Sequence, residues 1–163
     1  MATPVTKRVF PASTAVPWVY RFLLTTIEPL FALRGAWLVL QAPSEYLTVM
    51  TRDTVAHSAP TTFLYTTIGG GWLYFAFVGA VVLRIFDDLR LWRYLCVGMI
   101  LSDIANGHAV AQAVGGWAAW SKVSEWTMDD HALFWAGASV LLVRILLILG
   151  IGVKTNSGSL KTQ

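Results

Sequence analysis

Four apolar runs, each near the length of about twenty residues that carries a helix across a bilayer, dominate this chain of 163 residues. In hydrocarbon every backbone amide needs an internal partner, and a single run of this length meets that need as a helix. The runs cover about 17–40, 62–86, 92–114 and 130–152. The expected fold is therefore all-α, an integral-membrane four-helix bundle. Residues 1–16 are expected to form a cytosolic N-terminal segment. Residues 153–163 are expected to form a disordered cytosolic tail, because "KTNSGSLKTQ" is polar throughout. Only 13% of the residues are charged, against about 25% in a typical soluble domain.

The charges that remain act as topology signals. With four spans, both termini and the second link lie on one side. That side holds Lys7, Arg8, Arg84, Arg90, Arg93, Lys154 and Lys161, against Arg52 and Lys122 on the other. Basic residues favour the cytosolic side, so both termini are expected there, with the endoplasmic reticulum as the membrane. The net charge of +3 is small and scattered, which argues against a nucleic-acid partner. The N-terminus lacks an apolar run followed by a cleavage site, so the first span reads as retained. Cys96 is the single cysteine, lies in a span and reads as a packed apolar residue. Trp18, Trp92, Trp117, Trp120 and Trp126 fall near span ends, as an aromatic belt would.

The first span contains a carboxylate, Glu28, followed at once by Pro29. Helical periodicity places Arg21, Thr25, Glu28, Ala32 and Gly35 on one stripe, which should face the other helices. Pro29 has no amide to offer the carbonyl of Thr25, so a kink and a free carbonyl are expected there. In the third span, "LSDIANGHAVAQ", Asp103 and Asn106 share one face, while His108 and Gln112 share another. At about 1.5 Å per residue, Glu28 and Asp103 each lie roughly 16 Å from the cytosolic end of their helix. Two acids at one depth on different helices are plausible neighbours. Burial favours a protonated acid beside an ionised base, a pair suited to proton transfer. His108 would relay protons or orient water, and Asn106 would hold a substrate oxygen. Tyr65, Gln112 and Arg21 complete the candidate substrate-binding set.

The remaining features have local explanations. Asp129 and Asp130 would cap the fourth span, with His131 near the interface. Arg144, deep in that span, would snorkel or pair with an acid. Gly69, Gly70 and Gly71 would permit close helix packing. The chain contains no HExxH, CxxC, Walker or GxSxG pattern, and its three histidines lie in different segments. No metal and no cofactor are expected.

The motifs "TIEPLFALRGAW" and "SDIANGHA", with short tails, resemble a family of small fungal membrane proteins found in secondary-metabolite gene clusters. The likeness covers roughly Tyr20 to Gly152. The chain is also similar to the membrane-bound epoxide hydrolases of polyene-pyrone pathways, of aurovertin or citreoviridin type. More distantly it resembles the fungal membrane terpene cyclases, in which a glutamate and an aspartate within the helices protonate an epoxide. That resemblance implies the same role for Glu28 and Asp103. This chain is shorter than those cyclases and has fewer spans, which leaves less wall for folding a prenyl chain.

Two function classes follow. One is an acid–base enzyme that opens an epoxide on a lipophilic polyketide or terpenoid, by hydrolysis or cyclisation. One carboxyl would protonate the epoxide and the other would serve as base or nucleophile. The other class is a non-catalytic membrane accessory or lipophile-binding protein, with Glu28 and Asp103 in ion pairs with Arg21, Arg34 or Arg144. A transporter fits less well, because four spans without a repeat leave no evident alternating halves unless the chain oligomerises. Expected partners are a lipophilic epoxide, membrane lipids and, in the oligomeric case, a second copy of the chain.

Overall fold

The computed structural model describes residues 10–154, and every regular element in that range is helical. The tail expected to be disordered lies outside the described residues, apart from Val153 and Lys154. Four helices are long and apolar enough to cross a membrane: Trp18–Gln41, Ala59–Ile85, Leu89–Ala113 and Met128–Leu149. The chain is an all-α membrane protein with four spans. Bulky side chains such as Leu30, Trp37, Phe63, Leu73, Leu101, Trp135 and Leu142 face outward. A lipid-facing surface requires that pattern, and water would penalise it.

The first two spans pack along their length through small residues. At Gly79 an added Cβ would sit 2.7 Å from Cγ of Pro29 and 2.8 Å from the carbonyl oxygen of Leu24. At Gly69 it would sit 2.5 Å from Leu40, and at Gly35 it would sit 3.1 Å from Trp72. Of the three consecutive glycines expected to support close packing, only Gly69 does so. Gly70 and Gly71 have no neighbour within 4 Å.

Each of these two spans also carries a π-helical turn, Leu23–Ile27 in the first and Val78–Val82 in the second. The turns pack against one another. The turn at Leu23–Ile27 immediately precedes Glu28 and Pro29, where the missing proline amide disrupts the regular ladder. The Thr25 carbonyl is nevertheless not left free. Arg84 Nη2, from the end of the second span, donates to it at 2.8 Å.

The third and fourth spans pack through a core of Leu89, Trp92, Cys96, Val140, Val143 and Leu147, joined by Leu24 and Leu83. Trp92 is a core residue and not part of an aromatic belt. Its indole Nε1 donates to the Phe86 carbonyl at 3.0 Å. Residues just before the first span close this end of the bundle. Ala12, Ala15 and Val16 are buried in the same core. The Leu89 amide donates to the Phe10 carbonyl at 3.0 Å, and the Lys154 amide donates to the Ala15 carbonyl at 2.8 Å. Ser13 donates to Asp87 from both its amide and its hydroxyl, each at 2.6 Å.

At the opposite end, the first link contains an unexpected helix, Pro43–Thr51. Pro43 suits the first helical position, and Leu47 and Thr51 turn inward onto the third and fourth spans. Arg52 ends it in the left-handed region, φ 52°, and donates from Nε to Asp130 Oδ2 at 2.9 Å. Thr127 and Asp130 form a reciprocal capping box at the start of the fourth span. The other end of that span stops at Gly150, φ 76°, whose amide and that of Ile151 close onto the last turn.

Candidate functional site

Arg144 organises the interior of the bundle. Its side chain is 2% exposed and lies on the same buried stripe as Val140, Val143 and Leu147. Nη2 donates to Glu28 Oε1 from the first span, and Nη1 donates to Asp103 Oδ2 from the third. The guanidinium also sits 6.0 Å from the ring centroid of Phe75 in the second span. One cation thus contacts all three other spans. The two acids expected to be neighbours meet on this guanidinium.

The charges at this centre do not balance. Two carboxyl groups face one guanidinium, which leaves one negative charge in surplus if both acids are ionised. A net charge removed from water costs several kcal/mol even after relaxation. The bonding is also incomplete. Glu28 Oε2 and Arg144 Nε are both buried and have no hydrogen-bond partner among the described residues.

The two acids differ in access. The Glu28 side chain is 9% exposed and the Asp103 side chain 25%. The third span buries Cys96, Met99, Val110 and Ala111 but exposes Ser102 and Asn106, one on each side of Asp103 in sequence. Residues three apart on a helix are neighbours, so Asn106 lies beside Asp103 on the rim through which that carboxyl is reached.

The other expected site residues are not gathered here. His108 follows Asp103 by five residues, about 140° around a helix of 3.6 residues per turn. It faces the third link instead, where Trp117 Nε1 is 3.1 Å from its Nδ1 and the two rings stack. Gln112 is exposed on that same far side. Tyr65 lies near the start of the second span, with its ring centroid 5.3 Å from that of His57. Arg21 lies seven residues, or about 10 Å of helix, from Glu28, in a cleft with Arg84 and Asp87. Arg144 is the organising residue that spacing within single helices does not reveal. Its signal is a lone arginine deep in an apolar span, a position that almost always implies an acidic partner.

Among the described residues no group of three or more His, Cys, Asp or Glu side chains could hold a metal ion. Glu28 and Asp103 supply carboxylate oxygens, but the guanidinium between them occupies the place a cation would take. His131 packs edge-on to Trp126 at 5.2 Å, within an aromatic cluster that includes Phe134. Cys96 is fully buried.

No curated protein and no solved structure matches this chain. A family model does match, over residues 13–154, which include all four spans and the whole Glu28–Arg144–Asp103 centre. The chain belongs to that family, described as Domain of unknown function (DUF7704).

Proposed function

We propose that this protein is an integral-membrane acid–base enzyme that opens an epoxide on a lipophilic polyketide or terpenoid. The supporting observation is the imbalance at Arg144, where two carboxyl groups share one buried guanidinium. A single proton neutralises the surplus charge. The centre then holds one carboxylic acid and one carboxylate, oriented by the same arginine. This is the donor and acceptor pair that epoxide opening needs.

In the proposed reaction the acid protonates the epoxide oxygen as its C–O bond breaks. The carboxylate removes a proton from the attacking water or internal hydroxyl as the new C–O bond forms. One proton leaves the centre and one returns, so its charge is unchanged after a turnover. Asp103, the more exposed acid, meets the substrate, and Asn106 at the rim holds a substrate oxygen. Substrate enters sideways from the bilayer, consistent with the scarcity of long loops. The location is the endoplasmic reticulum with cytosolic termini.

The test is turnover of lipophilic polyene epoxides in oxygen-18 water by membranes carrying wild type, Glu28→Gln or Asp103→Asn. Loss of at least 100-fold in both folded variants is expected, in the range for removing an acid–base group. Label in the product marks hydrolysis, and its absence marks cyclisation. An inert wild type, or variants that match it, would refute the enzyme.

One observation favours a second reading. Arg144 ties the first, third and fourth spans together in two ion pairs, as a purely structural clamp would. In that case the same variants change melting temperature and no turnover exists to lose.

A further inference from the structure

The end of the bundle that carries both termini contains a second charged site, separate from the Arg144 centre. A cleft of about 250 Å³ opens between the start of the first span and the link from the second span to the third. Arg21, Arg84, Asp87 and Ser13 are among its walls. Asp87 is occupied on both oxygens by Ser13. Those hydrogen bonds hold its carboxyl below the ordinary aspartate range. Two guanidinium groups against one carboxylate leave the cleft with one positive charge in surplus.

The donors are also underused. Arg84 commits Nη2 to the Thr25 carbonyl and the Thr26 hydroxyl. Its side chain is exposed, and its remaining nitrogens have no hydrogen bond among the described residues. Arg21 Nε is buried with no partner among the described residues. Guanidinium groups at a membrane surface, one of them with an unanswered N–H, match an oxyanion with a single charge.

We propose that this cleft binds a phosphate group carrying one negative charge, with Arg21 and Arg84 as its donors. At this depth the natural source is the phosphodiester of an anionic glycerophospholipid. Free phosphate shares the chemistry and is the other source. The site does not depend on the proposed epoxide chemistry. It has a structural consequence of its own, because Arg84 also braces the π-turn directly below Glu28.

The test is calorimetric titration of the full chain in neutral detergent with dioctanoyl phosphatidylglycerol, inorganic phosphate and dioctanoylglycerol. Wild type is expected to bind phosphatidylglycerol saturably, one per chain, and dioctanoylglycerol not at all. Arg21→Gln should weaken binding at least tenfold. Asp87→Asn, which raises the surplus charge, should tighten it several-fold. Binding of inorganic phosphate as well shows that the phosphate group suffices, whereas binding of the lipid alone assigns the site to membrane phospholipid. No saturable binding, equal binding of dioctanoylglycerol, or an Arg21→Gln variant that binds like wild type overturns the proposal. If Arg21→Gln does not fold, Asp87→Asn decides, and unchanged or weaker binding there overturns it.

Discussion

Two ion-paired arginine clusters, one at an end of the bundle and one in its interior, differ in how their charges balance. At the end away from the termini, Arg52 meets Asp130 one to one, and Asp130 Oδ2 also accepts from the amide and hydroxyl of Thr127. In the interior, Arg144 meets two carboxyl groups and leaves one oxygen of Glu28 without a donor. Each cluster has one buried guanidinium nitrogen without a partner among the described residues, Arg52 Nη2 and Arg144 Nε. Of the two, the interior cluster is the one out of charge balance, and its unpartnered oxygen, Glu28 Oε2, is buried. The first arrangement joins a link helix to the start of a span and needs nothing more. The second has a surplus charge that one proton would neutralise, and the proposed function rests on that difference.

Removing the shared cation should have the largest effect. Arg144→Met strands the buried Glu28 and the half-buried Asp103 and should cost about 3–5 kcal/mol, the range for deleting one partner of a buried pair. Thermal unfolding in detergent should show it. Glu28→Gln should cost far less, because one acid and one arginine remain. Adding Glu28→Gln and Asp103→Asn to Arg144→Met should recover most of the loss, since no buried charge is left unpaired. A triple variant as unstable as Arg144→Met would mean that the arginine acts through packing.

The next largest effect tests whether the interior centre depends on the two π-turns. Gly79→Ala forces a methyl against Pro29 and the Leu24 carbonyl, an overpacking that costs about 1–3 kcal/mol. Activity on an epoxide should fall with it, because Glu28 follows the displaced turn directly. Unchanged turnover at reduced stability would separate the turns from the site.

Asp130→Asn removes the carboxylate of the other cluster. The capping box weakens and Arg52 loses its counter-charge, a cost of about 1–2 kcal/mol. Turnover should stay at the wild-type level. A loss of turnover in a folded Asp130→Asn protein would make the two clusters functionally alike.

The smallest effect concerns pH. Asp87 is exposed, and hydrogen bonds from Ser13 lower its pKa below the reference value of 3.8. Its contribution to stability is therefore present above that value and lost as pH falls through the lower, folded one. Solvent screening keeps the effect small. Ser13→Ala should flatten the decline in melting temperature over that acidic window and leave neutral pH nearly unchanged. A difference confined to neutral pH would contradict the sign.

How much of this is legible in the chain depends on the distance over which each interaction acts. The spans are legible because length and hydropathy are local, and the observed helices start and stop within a few residues of the expected bounds. Depth is legible too. The rise of a helix places Glu28 and Asp103 at one level, and the structure brings both to one guanidinium. Around the axis the chain says less. Spacing puts Asn106 on the Asp103 face and His108 on another, yet only the fold shows that this second face meets Trp117 and not the carboxylates. Pro29 announces a free carbonyl, but only the fold shows that Arg84, 59 residues from Thr25, supplies the missing donor. The helix Pro43–Thr51 is hidden because its stability comes from Leu47 and Thr51 packing onto distant spans.

If the proposed function holds, the Arg144 centre carries one proton shared between two acids. Infrared difference spectroscopy of the reconstituted protein at neutral pH counts that proton through its carboxylic C=O stretch, which carboxylates lack. One such band is expected in the wild type, lost in Glu28→Gln and equally in Asp103→Asn, since either change leaves a single ionised acid matched to Arg144. A wild type without the band, or a band that survives either substitution, would contradict it.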